Sequence, residues 1–446
     1  MTTVSVMPLA VNSYERQDVF NALWDEVGRI SCATLRELVN GALDDEVSHR
    51  LGRGAYEPRD RSGDVTVAWE CHRCGESNAS QLKRNGHYRR QLQTTLGTIK
   101  DIRVPMVRCV RCGAAANVEF AALRKHKQMW IDVDLGVLFA YGAEEGFRHI
   151  AEDVGQQLGW PLSASTVQAR VHEFVSALKR WRQKPIVDPP DVVMLDGIWF
   201  TVVRPTEEYT TDRNGRRRPV VERVKRVAII ALGLWSESGR KDILDFELAD
   251  SEDERSCVRL LERLHLRGAT DGKVKLLVSD GAGGICAAIE TVYPTVPRQR
   301  CVFHKLKNAG DSLRDKSHRK AALRAASAIY KATDTREAHQ RLQQFVKDWQ
   351  EAEPEAVASL LTDFDASIAY MNVPNLKGAR RYRTTNAIEG GVMRPLRRTI
   401  RRATAFRSDR GAEVALFLAI AHLNATQRNT PWAIAAPRLL EKLDEP

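Results

Sequence analysis

Two similar cysteine pairs constrain the fold of this chain more than any other feature of its sequence. The first is Cys71-His-Arg-Cys74, the second is Cys109-Val-Arg-Cys112, and a glycine follows each pair. A C-x2-C turn presents two thiolates to one ion, and two such turns complete a tetrahedral zinc site. Segments 86–91 and 99–105 between the pairs alternate apolar and polar residues, as the strands of a small sheet do. The pattern predicts a zinc ribbon in which the four cysteines hold one structural Zn²⁺.

Two other uses of these cysteines were weighed against zinc. Disulfides are rare in intracellular proteins, and the N-terminus lacks the basic stretch and apolar core of a signal peptide. A dithiol redox pair explains one C-x2-C and leaves the second without a role. The longest apolar run, 227–235, is too short for a bilayer, which takes roughly 20 residues to cross. We therefore expect a soluble, cytoplasmic chain with no membrane partner.

The charge of the chain favours a polyanionic partner. Its 446 residues include 68 Lys and Arg against 57 Asp and Glu, a net charge of +11. Nucleic acid is the simplest partner for such a chain, although a basic surface can also serve solubility alone. The arginines concentrate at Arg213–Arg218 and between Arg380 and Arg410.

The N-terminal part reads as helical regions around the ribbon. Periodicity over 15–50 predicts two helices in an N-terminal region 1–60, followed by the ribbon at 61–120. Region 130–185 reads as one helix ending at Gly159 and a second N-capped by Ser163 or Ser165. This is compatible with a helix-turn-helix-like DNA-binding region that exposes Arg170 to DNA. An ordinary helical hairpin fits the same pattern equally well.

From residue 192 the pattern becomes α/β. Predicted strands at 192–203, 220–235 and 242–248 precede a helix, a strand ending at Asp280, a second helix and a short strand at 300–303. This order is the one expected of an RNase H-like fold. We assign 190–310 to the first part of such a core, 311–378 to an all-helical insertion and 379–446 to the second part. The predicted fold class is thus an α/β, RNase H-like core with a helical insertion, preceded by a zinc ribbon and helical regions.

Three acids stand at informative places in this scheme. Asp196 lies in the first predicted strand, Asp280 closes the fourth, and Glu389 precedes an arginine-rich stretch. Three carboxylates can hold two Mg²⁺ or Mn²⁺ ions for an in-line phosphoryl displacement. Each acid also has a structural reading, since Asp-Gly is a common turn and Asn386 could N-cap a helix with Glu389 at its third position.

Basic residues and a Cys–His pair accompany the acids. Arginines in this stretch would neutralise a DNA backbone: Arg394, Arg397, Arg398, Arg401 and Arg402. Pro395 predicts a kink in any helix there. Cys301 and His304 resemble half a zinc site without a second half, and would lie near Asp280 if strands 4 and 5 pair. A packed cysteine and a capping histidine fit them equally well.

Three segments resemble the Mutator-like family of DDE transposases, in its bacterial insertion-sequence branch. They are Leu195-Asp-Gly, Val278-Ser-Asp-Gly281 continuing to Arg300-Cys-Val-Phe-His304, and Thr384-Thr-Asn-Ala-Ile-Glu389-Gly with its basic continuation to Phe406. The resemblance implies that Asp196, Asp280 and Glu389 are catalytic acids and that Cys301 and His304 form the family's C-x2-H element. Gly390-Gly391-Val departs from the Ser-Leu-Asn-type residues that many members have after the glutamate, and the zinc ribbon marks a subgroup.

The resemblance also implies a function. We expect a transposase that binds the terminal inverted repeats of its element as double-stranded DNA, cuts them with two Mg²⁺ or Mn²⁺ ions and joins the freed 3′-OH to target DNA. A homodimer in the synaptic complex and a location at the nucleoid follow from the same resemblance. Two alternatives are a domesticated, non-catalytic DNA-binding regulator and an RNase H-like nuclease that cuts a fixed DNA structure.

Overall fold

A computed structural model describes residues 16–54, 56–58, 65–67, 69–117, 120, 123, 128–142, 146–211, 213–402, 406 and 408–435. These residues form two compact units. The first comprises the described residues up to Tyr141 together with Phe147–Arg170, and the second runs from Val171 onward. Across this described part of the chain, none of the helices has the length and apolar character that a membrane crossing requires.

The first unit is built from a long helix, a small sheet and three shorter helices. Its elements are α1 (Arg16–Leu51), β1 (Leu82–Thr94), β2 (Gly97–Cys109), β3 (Ala115–Asn117), α2 (Ile131–Gly142), α3 (Phe147–Leu158) and α4 (Ala164–Glu173), which continues into the second unit. The three strands form an antiparallel sheet in the order β1-β2-β3. The strands predicted between the cysteine pairs are therefore confirmed.

The prediction of two helices before the ribbon is wrong, because α1 is one helix of 36 residues. No proline interrupts it, and its apolar residues Val39, Leu43 and Val47 share one core with the sheet. Asn40 fixes the packing further, since its Oδ1 accepts a hydrogen bond of 2.8 Å from the Arg103 backbone N–H of β2. Packing along the whole C-terminal half of α1 thus favours a single continuous helix over two.

The predicted turn between α3 and α4 is confirmed. Gly159 ends α3 with a φ of 62°, and the Ser163 Oγ accepts a hydrogen bond of 3.1 Å from the Thr166 N–H at the start of α4. The expected exposure of Arg170 is wrong: its side chain is 11% exposed, and its Nε lies 3.7 Å from Asp134 Oδ1 of α2. This carboxylate is itself buried, and its charge draws the guanidinium inward.

The second unit contains a five-stranded mixed sheet. Its first elements are α5 (Val175–Gln183), β4 (Val192–Thr211), β5 (Arg217–Leu234), β6 (Lys241–Ala249), α6 (Glu254–Leu266), β7 (Leu276–Ser279), α7 (Gly283–Val292), β8 (Arg298–Arg300) and α8 (Val302–Asp311). The strand order is β6-β5-β4-β7-β8. Strands β4, β5 and β6 form an antiparallel meander, whereas β7 runs parallel to β4 and β8 parallel to β7. The predicted order of strands and helices is confirmed.

The fifth strand was predicted two residues too late. It is Arg298–Arg300, and the predicted strand residues Val302 and Phe303 belong to α8. The Cys301 N–H makes the last ladder bond, 2.7 Å to the Ser279 carbonyl, and the Lys305 N–H then bonds to the Cys301 carbonyl at 3.0 Å. His304 therefore lies in the first turn of a helix rather than at a strand end.

Helices cover both faces of the sheet. On one face, Val193, Leu195 and Ile229 pack with apolar residues of α6 and α7 in the main core of the unit. On the other face, Phe246 of β6 lies 6.3 Å from the ring of Trp181 on α5, which in turn contacts Phe417. Both β4 and β5 have a continuous run of buried residues, and because successive side chains point to opposite faces, each run places apolar side chains on both faces.

The rest of the second unit is helical. Its elements are α9 (Arg319–Ile329), α10 (Thr335–Trp349), α11 (Pro354–Leu361), α12 (Phe364–Ile368), α13 (Asn386–Ile388), a π-helical turn (Glu389–Met393), α14 (Arg394–Arg402), α15 (Asp409–Gln427) and α16 (Trp432–Ala435). Helices α9–α12 share their own apolar core with Val302 of α8. The chain stays helical through Pro395, because the wider π-helical turn just before it accommodates the missing N–H and the bulk of the ring.

Candidate functional site

Asp196 and Asp280 lie side by side on neighbouring strands. The parallel register of β4 and β7 pairs Met194 with Val278, and each aspartate stands two residues further along its strand direction. Beyond the strand end, Ala282 N–H donates to Asp280 Oδ1 at 2.9 Å, and Gly281 adopts a φ of 92° that favours glycine. Strands β4 and β7 are neighbours in the sheet, which brings Asp196 and Asp280 to the same part of the molecule.

The electrostatics of Asp196 are those of a carboxylate crowded by others. Burial raises the pKa of Asp196 to about 7, and the charges of Asp280 and Glu389 add to the rise. The Gly197 N–H, which donates to Asp196 Oδ1 at 2.9 Å, and the charge of His304 act in the opposite direction. Converging carboxylates with a raised pKa fit the binding of a divalent cation, whose charge would relieve their repulsion.

The Glu389 segment is fastened to the end of β8 through Cys301. The backbone N–H and the hydroxyl of Thr385 both lie 3.3 Å from the Cys301 Sγ. The same hydroxyl contacts Glu389 Oε1 as a hydrogen-bond donor. The N-cap residue of α13 is Thr385, so the alternative reading in which Asn386 caps the helix is wrong.

His304 faces the same point from α8. Its Nδ1 lies 4.0 Å from Glu389 Oε1, and this buried nitrogen has no hydrogen-bond partner among the described residues. The neighbouring Cys301 thiol raises the pKa of His304 most, and the charges of Glu389 and Asp280 add to the rise against the effect of burial. A histidine that gains charge here can donate a hydrogen bond to an anionic group.

The distances distinguish two groupings within the described part of the chain. Cys301, His304 and Glu389 each place a ligand atom within 4.8 Å of the others, and the four ribbon cysteines do the same. Asp196 and Asp280 are not gathered with Glu389 inside that radius, although all three interact electrostatically. The structure thus joins Glu389 to the Cys301–His304 pair, whereas Asp196 interacts with Asp280 and Glu389 through their charges.

Sequence reasoning missed a fourth carboxylate, Glu252. Burial and the charge of Asp280 raise its pKa, and Trp199 donates a hydrogen bond to it. Glu252 lies against the bare Cα of Gly197, where a Cβ atom would come within 1.9 Å of Glu252 Oε1. The available signal was its place after the third strand, because β4, β6 and β7 run in the same direction and their carboxyl ends lie on the same side of the sheet.

Arginines line a cleft beside Glu389. The cleft has a volume of about 670 Å³ and is lined by Asn386, Glu389, Gly390, Arg394, Arg397, Arg398 and Arg401. The four arginines share one face of α14, opposite the buried Leu396. Among the described residues, no carboxylate forms an ion pair with them, so their charge is directed into the cleft. Arg402 belongs to α14, but its side chain lies outside the described part.

The ribbon cysteines form a second candidate metal site. The Sγ atoms of Cys71 and Cys112 lie 3.7 Å apart, as do those of Cys74 and Cys109. A tetrahedral ion with Zn–S bonds of about 2.3 Å requires sulfur separations of about 3.8 Å. Although burial opposes it, backbone N–H groups of Arg73 and Cys74 lower the pKa of Cys71 to about 7. The site therefore fits Zn²⁺ in size and in its set of four thiol ligands.

Comparison with known proteins places this geometry in context. A family model described as "Transposase, Mutator family" matches residues 59–426. The transposase for insertion sequence element IS406 of Burkholderia multivorans is 28% identical over 374 residues, covering 83% of this chain and 84% of that protein. The transposase for insertion sequence element IS905 of Lactococcus lactis subsp. lactis is 26% identical over 335 residues, covering 75% and 72%.

One further relative and one solved structure complete the comparison. The transposase for insertion sequence element IS256 in transposon Tn4001 of Staphylococcus aureus is 24% identical over 311 residues, covering 69% of this chain and 73% of that protein. The Drosophila P element transposase strand transfer complex aligns with 70% of this chain and 81% of its own chain, at 11% identity. Its TM-score of 0.27 is too low to bear on the fold.

Proposed function

Because this chain belongs to the Mutator family of transposases, we propose that it is a DDE transposase of a bacterial insertion sequence. Asp196, Asp280 and Glu389 would be its catalytic carboxylates. The proposal rests on the matched register of Asp196 and Asp280, with Glu389 held close enough to raise the pKa of Asp196. The strand order β6-β5-β4-β7-β8 further supports an RNase H-like core. Helices α9–α12 would be an insertion into this core before Glu389.

The three carboxylates would hold Mg²⁺ or Mn²⁺, with two ions per site. Such a pair, about 3.5–4 Å apart, activates the attacking oxygen and stabilises the leaving oxygen of an in-line displacement. Thr385 would orient Glu389, and His304 would donate a hydrogen bond to the glutamate or to a DNA phosphate. A first reaction would free a 3′-OH at the element end by attack of water, and a second would join that 3′-OH to target DNA.

The arginine-lined cleft would hold the DNA strand beside the acids. Arg394, Arg397, Arg398 and Arg401 present guanidinium groups that pair with phosphates, often through two hydrogen bonds each. Each phosphate contact releases counterions, so binding weakens as salt rises. The partners would be the terminal inverted repeats and target DNA, held by two copies of the chain in a synaptic complex. One Zn²⁺ on Cys71, Cys74, Cys109 and Cys112 would be structural.

Cleavage of element ends tests the proposal. A supercoiled plasmid carrying the DNA that flanks this gene is incubated with the full chain and Mg²⁺ or Mn²⁺. We expect metal-dependent 3′-OH ends at the element boundary, reduced at least 1,000-fold by Glu389→Gln. Glu237→Gln is the matched control, because Glu237 lies in an exposed turn with a side chain that is 77% accessible. Equal cutting by wild type and Glu389→Gln would show that another glutamate acts, and binding without cutting would favour a regulator.

A further inference from the structure

Strands β4 and β5 continue far beyond the five-stranded sheet. Strand β6 pairs with β5 only as far as Val227. Among the described residues outside β5, the last backbone partner of β4 is Phe406, which bridges to Val202 and accepts from the Val203 N–H. Beyond this point the two strands pair with each other alone, from Arg204 opposite Glu222 to Thr211 opposite Arg217. We call residues 204–222 the arm. Within its described residues, no third strand joins it.

The arm is not needed to build the sheet. Its residues are exposed almost throughout, and both Tyr209 and Val221 are more than half accessible, at 54% and 58%. Strands in globular proteins are usually about five or six residues long, whereas β4 has 20 residues and β5 has 18. A two-stranded ribbon in water is marginally stable by itself. An extension of this length therefore fits a surface that a partner covers.

Charge is separated along the arm. Residues 213–218 at its tip carry four arginines: Arg213, Arg216, Arg217 and Arg218. With Asp212, the residue before them in the sequence, the net charge is +3 (4 − 1). The acids Glu207, Glu208 and Glu222 lie closer to the sheet. The guanidinium of Arg217 stacks over the ring of Tyr209, with its central carbon 4.2 Å from the ring centroid. Stacking fixes the plane of this guanidinium, which lowers the entropy lost when it binds.

We propose that the arm binds the phosphate backbone of double-stranded DNA at a site separate from the arginine-lined cleft. The inference rests on the proposed function, which supplies DNA as the substrate. A two-stranded ribbon fits the major groove, and arginine matches the geometry of phosphate oxygens. The arm begins eight residues beyond Asp196 on the same strand. At about 3.3 Å per residue its tip reaches up to ~50 Å from Asp196, or roughly 15 base pairs of duplex.

Salt dependence of binding tests this surface directly. The tip variant replaces Arg213, Arg216, Arg217 and Arg218 by Gln in the full chain. Its affinity for a fluorescent 40-base-pair duplex is measured by anisotropy between 50 and 300 mM KCl. Each lost phosphate contact lowers the slope of log affinity against log salt by about 0.9, so we expect a decrease of about 2 to 3.5. At 100 mM KCl the affinity should fall at least 30-fold.

The matched control removes the same charge elsewhere in the second unit. It replaces four exposed cations of the helical segment by Gln: Arg314, Lys320, Arg324 and Arg336. We expect its slope to change by less than 1. The reciprocal variant Glu207→Gln with Glu208→Gln should bind DNA more tightly than wild type. A tip variant with the wild-type melting temperature and a slope within 0.5 of wild type would overturn the proposal.

Two duplexes separate the sources of the DNA. One carries the flanking sequence of the element, and the other has an unrelated sequence of equal length. If the tip variant loses affinity for both duplexes, the arm binds the backbone of any duplex, as target DNA would require. If it loses affinity for the first duplex alone, the arm binds the element ends. The plasmid cleavage test is independent of this result. If the arm binds DNA and the wild type never cuts element ends, the proposal for the arm is supported and the proposed transposase mechanism is contradicted.

Discussion

Asp196 and Asp280 occupy matching positions on adjacent parallel strands, two residues beyond the register pair Met194–Val278. This relationship joins two segments that are far apart in the sequence. Backbone pairing sets the register up to Met194–Val278, and the two carboxylates that follow are near enough for the charge of Asp280 to act on Asp196. The repulsion between them is then part of the folded state, and burial together with the charges of Asp280 and Glu389 raises the pKa of Asp196 to about 7.

The first prediction concerns the stability of the metal-free protein. An unfolded aspartate has a pKa of about 3.9, so between pH 4 and 7 the folded state binds more protons at Asp196 and stability falls as pH rises. The ionisation of Asp196 in the folded state lowers the free energy of unfolding by about 4 kcal/mol above pH 7 and by about 1.5 kcal/mol at pH 5. Asp196→Asn removes this cost. We expect urea denaturation without added divalent cations to show the variant more stable than wild type, with a larger gain at pH 8 than at pH 5.

Magnesium supplies the control for this experiment. An ion that binds the folded wild type stabilises it by mass action, so 10 mM Mg²⁺ should reduce the advantage of Asp196→Asn at pH 8. A chelator is left out, because it would also remove zinc from the cysteines. Equal gains at pH 5 and pH 8 would contradict the assigned pKa of Asp196.

The second prediction concerns zinc. We expect one Zn²⁺ per chain by elemental analysis, because the sulfur separations of 3.7 Å match a tetrahedral site. Cys112→Ser should abolish this stoichiometry and lower the melting temperature, since the site anchors both ends of the sheet to the core shared with α1. Cys32→Ser is the matched control, because Cys32 lies on α1 outside the cluster. Zinc retained at one equivalent in Cys112→Ser would exclude the four-thiolate site.

Local patterns predicted those features that depend on neighbouring residues. The spacing of the cysteines, the strand alternation and the glycine at 159 each carry their own signal, and the structure has all three. Features set by distant contacts were missed. One example is Glu252, which lies close enough to Asp280 for the charge of that residue to raise its pKa, although the two are distant in the sequence. Another is the burial of Arg170, which depends on a carboxylate 36 residues away on α2.

Two errors of boundary have the same origin. The prediction of two helices for α1 was wrong because periodicity alone did not show that the helix is continuous. Packing against β2 stabilises it as one helix. The fifth strand was predicted too late because the sequence Arg300-Cys-Val-Phe is typical of a strand. In the structure the ladder of hydrogen bonds ends at Cys301. Apolar β-branched residues are common in strands, but the hydrogen bond from Lys305 N–H to the Cys301 carbonyl starts a helix there.

The third prediction concerns the position of Glu389. Thr385→Val removes the hydroxyl that donates to Glu389 and lies 3.3 Å from the Cys301 Sγ, at nearly constant size. Loss of one hydrogen bond to a carboxylate costs about 1.5–3 kcal/mol, so we expect cleavage to fall about 10- to 100-fold. The Mn²⁺ concentration for half-maximal cleavage should rise as well, because a free glutamate loses its preferred orientation. Thr385→Ser keeps the hydroxyl and should retain both properties, and a rise in Mn²⁺ requirement that is equal in both variants would contradict this role.

The fourth prediction concerns the contact between Gly197 and Glu252. A Cβ at residue 197 would lie 1.9 Å from Glu252 Oε1 and 3.0 Å from Val227 Cγ2, so Gly197→Ala forces the glutamate to move. Overpacking of this kind costs about 1–3 kcal/mol. Gly272→Ala is the control, because no atom lies within 4 Å of the added methyl group there.

A double-mutant cycle identifies the partner in this clash. Glu252→Ala removes the side chain that a methyl group at residue 197 would meet, so the double variant should recover at least 0.5 kcal/mol relative to the sum of the single changes in unfolding free energy. Recovery would place Glu252 against the strand that carries Asp196, as the raised pKa of Glu252 beside Asp280 requires. Strict additivity would mean that Glu252 turns away from Gly197 in solution. It would then lie outside the group of carboxylates, and its pKa would return to the range of an exposed glutamate.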